Sequence, residues 1–393
     1  MAQTLKFGNG NFATKAGSTL CYDDQNGNFK PIPMDFTRAS TATRVNKQGL
    51  IEVVKSNVPR IDYTDTTNGV LLLEKAATNL INYSEDFSNS DWSKTGLTVN
   101  ANQITSPDGG LNADKVDITT ANAHYLFDTI SVSASTNYTF TFYVKKGTAT
   151  DVSYSILNAT NFTNIVNTTS YFNEISDTDW TRISVEFTTP SGCTSIRTYP
   201  LRDGSSTGTV YIWGAMLEQN SVASSYIPTQ GSASTRVAET ANGAGNSEVF
   251  NDSEGVLFCD ISGLVDEDDY RIISLNAGNS TASIFLGLRN NTGNVYMYMP
   301  TDNTSYISNV NATNKFTKIA LKYKANDVSF FINGFKVFTD NTVTLPTGLN
   351  QLDLNYGNPS NSYPFYGKTK EIAYYDTILT DLELETLTSY RTW

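Results

Sequence analysis

The chain has 393 residues, enough for two or three domains; 39% are hydrophobic and only 17% charged. Lys and Arg number 27 against 39 Asp and Glu, and the net charge of −12 argues against nucleic acid or an anionic membrane as partner. With 22 Tyr and 20 Phe among abundant Thr, Ser and Asn, the composition is that of an all-β protein with solvated polar faces, not of a disordered chain.

Residues 1 to about 34 are rich in Gly, Asn and Lys, with turn chemistry at Gly8-Asn9-Gly10 and Asn26-Gly27-Asn28, and read as a few short strands. This start has no apolar core of signal-peptide length, and no stretch of the chain approaches a membrane span. Synthesis in a cytoplasm, without membrane insertion, is therefore expected. From Asp35 to Phe87, two β-type runs, Leu50 to Val54 and Val70 to Leu73, are punctuated by Lys47-Gln48-Gly49, Asn57-Val58-Pro59 and Asn68-Gly69. Val70-Leu71-Leu72-Leu73 is the most apolar four-residue run and is expected to be buried on both faces.

The order of residues in this stretch resembles a segment of tailed-bacteriophage virion structural proteins. The matching residues are Phe36, Arg38-Ala39-Ser40, Ala42-Thr43, Gly49 to Glu52, Pro59 to Tyr63, Gly69 to Glu74, Thr78 to Leu80 and Tyr83 to Phe87. The resemblance implies a fibre, spike or decoration protein on the virion surface. It implies that residues 1–80 contact other virion proteins. Short strands with Gly and Asn turns can pair edge to edge with further copies, so a homo-oligomer is expected, with a trimer as the family habit. The resemblance implies no chemistry.

From about Ser84 the pattern becomes one of evenly spaced short strands: Lys115–Ile118, His124–Ile130, Tyr138–Lys145, Asp151–Leu157, Thr181–Thr188, Ser195–Pro200 and Thr209–Leu217. Alternation is clear in Tyr138 to Val144 and Ile183 to Phe187, as in an antiparallel jelly roll. Glu85 to Trp92, Ser133 to Lys145, Asp179 to Phe187 and Val210 to Glu218 resemble the corresponding strands of carbohydrate-binding-module jelly rolls. That resemblance implies a calcium site near the first strand, using Glu85 or Asp86. The late position that often closes such a site reads Trp213-Gly214-Ala215 here, which departs from the pattern.

Residues 219–247 are rich in Ala, Ser, Gly, Asn and Thr and mark a boundary; Ser234-Thr235-Arg236-Val237 echoes Ala42-Thr43-Arg44-Val45. A second set of strands follows at Gly255–Ile261, Arg271–Asn276, Ser283–Leu288, Val295–Met299, Phe316–Lys324, Asp327–Ile332, Phe335–Thr339, Gln351–Leu354 and Phe365–Tyr375. Asn333-Gly334 is a hairpin signal, because both turn positions need positive φ. Thr380 with Glu383 forms a capping box for a short helix. Val328 to Val337 and Tyr366 to Leu387 resemble laminin-G or concanavalin-like lectin domains. The expected architecture is thus all-β: a small N-terminal β-rich attachment region (1–80), then two antiparallel β-sandwich domains, a jelly roll (81–240) and a lectin-like sandwich (248–393).

Catalytic constellations are sparse. His124 is the only histidine, so Ser-His-Asp and multi-His metal sites are excluded or nearly so, and His124 reads as structural. Cys21, Cys193 and Cys259 suggest neither a disulfide framework nor a zinc site and read as small semi-buried residues. Asp266-Glu267-Asp268-Asp269 reads as a solvated loop, or more sharply as a calcium loop through Asp266, Asp268 and Asp269. Sugars are recognised by aromatic platforms flanked by hydrogen-bonding side chains. The candidates are Trp92, Tyr199, Tyr296, Tyr298, Tyr356 and Tyr363, whereas Trp180 and Trp213 match framework positions and read as core. The expectation is a non-enzymatic, glycan-binding virion protein with calcium as its one possible cofactor. A carbohydrate-active enzyme or accessory module, and a purely structural spacer, are the alternatives.

Overall fold

The computed structural model describes residues 3–23, 30–264, 269–290, 292–357 and 362–390; Met1 and the Asn26-Gly27-Asn28 turn lie outside this set. The described chain is almost entirely strand, with one α-helix at Asp381–Thr388. It forms two compact units. One comprises residues 1–49, 54–75 and 237–393; the other comprises 50–53 and 76–236.

The unit of 76–236 holds two five-stranded antiparallel sheets. The first runs Ser93–Thr95, Tyr125–Ser131, Ser195–Arg202, Ser153–Asn158, Thr163–Ser170, and the second Leu97–Ile104, Ala113–Ile118, Gly208–Glu218, Asn137–Lys146, Thr181–Thr188. All seven strands read from the sequence are present. The three missed, Ser93–Thr95, Leu97–Ile104 and Thr163–Ser170, are sheet edges whose largely exposed polar residues blunt any alternation. Alternation in Asn137–Lys146 sends Tyr138, Phe140, Phe142 and Val144 into one core. The intervening Thr139 and Thr141 are buried on the other face, where their hydroxyls meet Asn220 and Arg182.

The other unit departs from expectation. Residues 1–80 are not a separate region, and 248–393 is not a self-contained sandwich. Leu5–Gly8 pairs antiparallel with the strand Gly367–Tyr375, with Leu5 opposite Tyr374 and Gly8 opposite Glu371. Ser18–Asp23 and Lys30–Thr37 extend that sheet, and Val70–Leu73 pairs with Gly367 to Thr369. The result is a twelve-stranded sheet facing a five-stranded one of Thr304–Asn311, Asn294–Met299, Ser283–Leu288, Arg271–Asn276 and Gln351–Asp353. Leu5, Phe7, Cys21, Met34 and Phe36 share one buried core with Leu257, Ile372 and Tyr374. Such strand addition joins segments more than 360 residues apart, and no local pattern encodes it. As expected, Val70 to Leu73 are buried throughout. Asn333 and Gly334 turn their hairpin at φ 50° and 89°, and Thr380 and Glu383 close the capping box.

The stretch that resembles virion proteins is built around buried charge. Arg38 Nη1 lies 2.7 Å from Glu239 Oε1; Arg60 Nε donates to the same oxygen at 2.9 Å, and Arg60 Nη2 binds Oε2. Arg60 Nη1 pairs with Glu74 at 2.9 Å, and the Glu74 amide donates to Glu239 at 2.9 Å. Remaining guanidinium hydrogens go to the carbonyls of Ser40, Lys55, Val58 and Thr43. Asp62 accepts from the amides of Val45 and Thr64. Both arginines and Glu239 are at most 1% exposed. Removing one member of such a buried network leaves opposite charges uncompensated. Glu239→Ala should therefore destabilise this unit by about 3–5 kcal/mol in chemical denaturation; a loss under about 1 kcal/mol would show the network to be dispensable.

Candidate functional site

In the five-stranded sheet of the lectin-like unit, Val295, Met297 and Met299 point into the core, so Tyr296 and Tyr298 point outward. The neighbouring strand places Phe285 opposite Tyr298 and Gly287 opposite Tyr296. Phe285 is fully buried because other rings cover it. Tyr356 stacks on it with centroids 4.3 Å apart and planes at 17°, and Tyr298 lies 6.0 Å away. Tyr270 bridges to Tyr296 at 5.3 Å and to Tyr363 at 5.6 Å, and Tyr363 meets Tyr356 at 5.3 Å. Four residues singled out from the sequence thus converge on one face. Tyr270 and Phe285 were missed, although carrying the outward register of Tyr296 and Tyr298 onto the adjacent strands would have found Phe285.

The face is amphipathic. Burial raises the Tyr296 and Tyr356 phenols above their ordinary value, so both stay protonated donors at neutral pH. Tyr298 donates to Asn303 at 3.3 Å. Tyr363 is 37% exposed and sits at φ 52°, a region that bulky residues rarely adopt. On the same outward side, Asp353 is buried and accepts from the Gly243 amide, Asn276 and Gln351 at 2.6, 2.9 and 2.8 Å. Its oxygens serve the scaffold, an arrangement unlike the pair of facing carboxylates of a glycosidase.

Two other platform candidates are buried. Trp92 is 1% exposed, packs 4.7 Å from Phe87 and donates to the Tyr83 carbonyl. Tyr199 is 4% exposed beneath Phe127 and the Arg202 guanidinium. Neither presents a free ring face. Trp213 is core as expected, whereas Trp180 is half-buried and donates to the Thr105 carbonyl.

The cysteines and the histidine offer no nucleophile. All three thiols are buried and free, and burial pushes Cys21 up to about 12 and raises Cys193 and Cys259. His124 is buried, with Nδ1 on the Thr120 carbonyl and Nε2 accepting from the Gly204 amide, so both ring nitrogens have structural partners.

The jelly-roll unit has an open cleft of about 450 Å³ lined by Glu85, Asp86, Asn102, Asn112, Tyr83 and Gln230, among others. Its carboxylates do not form a calcium cage. Glu85 accepts from Tyr226 at 2.9 Å and from Asn112 at 3.3 Å, and burial raises its pKa. Asp86 is held by Ser88 and the Asn89 amide. The carbonyls of Ser88, Asn89 and Trp92, which a hard cation would use, receive the Lys94 ammonium at 3.0, 2.7 and 2.8 Å. Lys94 thus occupies three carbonyls of the segment that follows Glu85 and Asp86. Among the described residues, no group of three or more Asp, Glu, His or Cys converges on a point. In the other acidic run, Asp269 is exposed, and Asp266 and Asp268 lie outside the described residues.

Residues 261–385 match the family model of the concanavalin A-like lectin/glucanases superfamily. No curated protein matches the chain. Among solved structures, the chain is similar to the CBM40 of the Ruminococcus gnavus IT-sialidase bound to α2,6-sialyllactose, at 20% identity over 38% of this chain and 94% of that one, with a TM-score of 0.30. Domain 4 of AbnA, an arabinanase from Geobacillus stearothermophilus, gives 14% identity over 43% and 82% with a TM-score of 0.31. The enzymatically active domain of Bacteriophage CBA120 tailspike protein 4 gives 16% identity over 35% and 21% with a TM-score of 0.28. At these levels the structural likenesses carry no functional argument.

If Lys94 replaces a cation, the stability of the jelly-roll unit should not depend on calcium. EDTA or added calcium should leave the melting temperature unchanged, while Lys94→Met, which strands three carbonyls, should cost about 1–3 kcal/mol. A melting point that rises with calcium would contradict the assignment.

Proposed function

We propose that this protein is a non-enzymatic, glycan-binding component of a virion surface, a fibre, spike or decoration protein, and that the tyrosine face of its lectin-like unit is the sugar platform. The observation that carries the binding role is the convergence of Tyr270, Tyr296, Tyr298, Tyr356 and Tyr363 on one outward sheet face. Pyranose rings have apolar faces and hydroxyl rims, and neutral phenols offer both a flat apolar surface and a donor at its edge. The lectin-superfamily match over residues 261–385 supports this reading. The virion role, with other virion proteins and further copies of the chain as partners, rests on the resemblance of residues 35–87 to phage structural proteins.

A glycan array with the full chain should give hits. Tyr298→Ala and Tyr363→Ala should each weaken the best hit about tenfold in titration calorimetry, the size of one lost aromatic contact. Their melting temperatures should stay near wild type, because both rings are partly exposed. An array without hits, or affinities unmoved by both substitutions, would contradict the proposal.

A further inference from the structure

The jelly-roll unit carries a second aromatic face, on the sheet that contains Tyr125–Ser131 and Ser195–Arg202. Leu126 and Ile196 are in the core, so Phe127 and Arg197 point outward. The Arg197 guanidinium carbon lies 4.6 Å from the Phe127 ring centroid and 5.4 Å from that of Phe162. Arg202, on the same strand, is engaged by its neighbours: Nη1 donates to Ser155 and Asn164, both at 3.0 Å, and the guanidinium is ion-paired with Asp203, 3.5 Å from Nε. Both Nε atoms are buried without a hydrogen-bond acceptor, but Arg197 differs in forming no ion pair among the described residues.

Phe162 adds an independent observation. It is 66% exposed and sits at φ 61°, so a large ring is held in a strained backbone conformation with most of its surface in water. Nothing in the core gains from that arrangement. What it provides is a flat apolar surface beside a guanidinium already restrained by two rings.

We propose that this face is a binding site for acidic oligosaccharides, with Arg197 pairing with a sugar carboxylate and Phe162 supporting the adjoining sugar ring. A planar guanidinium fork matches a carboxylate through two parallel hydrogen bonds, and its restraint by Phe127 and Phe162 lowers the ordering cost of binding. The flanking rings favour a sugar over a bare anion, because they supply the apolar surface that pyranose faces need. The site lies in a different unit from the tyrosine face and does not depend on it.

The test is titration calorimetry of the full chain at low salt with trigalacturonate and a sialylated trisaccharide, each against its methyl ester, and with a sulfated trisaccharide. The acids should bind, and their esters should bind about tenfold or more weakly. Arg197→Ala should lose about tenfold or more, and Arg197→Lys should recover only part, since it keeps the charge but not the fork. Added salt should weaken binding of the acids and leave the esters unaffected. Tyr298→Ala should change none of this. Should Arg197→Ala fold poorly, Arg197→Lys and the acid–ester comparison still decide. Failure of both acids to bind, equal affinity for acid and ester, indifference to Arg197, or a preference for the sulfated sugar would each overturn the proposal.

Discussion

The carboxylate of Glu239 is the group on which the lectin-like unit closes. It receives two arginines, Arg38 and Arg60, and a backbone amide, in a site sealed from water. The chain leaves this unit after Lys75 and re-enters it at Val237, so Glu239 is among the first residues back. Through it the returning segment is bonded to the segments that preceded the jelly roll. The interaction is unforgiving: desolvating these charges is tolerable only while all are present, which makes it a device for specificity as much as for stability. It also fixes where the N-terminal strands lie, because Lys30–Thr37 runs directly into Arg38 and Val70–Leu73 directly into Glu74.

This gives a physical meaning to the motif residues that carry the resemblance to virion proteins. Arg38, Arg60, Asp62 and Glu74 are consumed by internal bonds, so they specify the fold of the segment and are not a contact surface. The proposed recognition sites lie instead on outward sheet faces. There, rings are stacked without forming a core, and two bulky residues, Phe162 and Tyr363, hold positive φ. Strain held away from the interior adds nothing to the cores, which is why both residues enter the proposed binding faces.

Most strands were legible because alternation reports one buried face, and the Asn333-Gly334 hairpin and Thr380–Glu383 box were legible because their chemistry is local. Tyr296, Tyr298, Tyr356 and Tyr363 could be named, but their convergence depends on strand order. Partners remote in sequence were invisible. Leu5–Gly8 reads as any short strand until Gly367–Tyr375 is placed beside it, and nothing local marks Glu239 as the partner of Arg38. Depth was not legible at Trp92 and Tyr199, which are 1% and 4% exposed, because an aromatic side chain serves a core and a platform equally well. The role of Lys94 was not legible either: its ammonium reaches carbonyls two to six residues back in the chain.

The central claim, that the N-terminal strands are integral to the lectin-like unit, is tested most directly by native-state hydrogen exchange. The account predicts that the amides of Leu5–Gly8, Ser18–Asp23 and Lys30–Thr37 exchange only through the same global opening as those of Glu254–Gly263 and Gly367–Tyr375. Exchange of the N-terminal strands through a separate, lower-energy opening, with the rest of the sheet still protected, would contradict it.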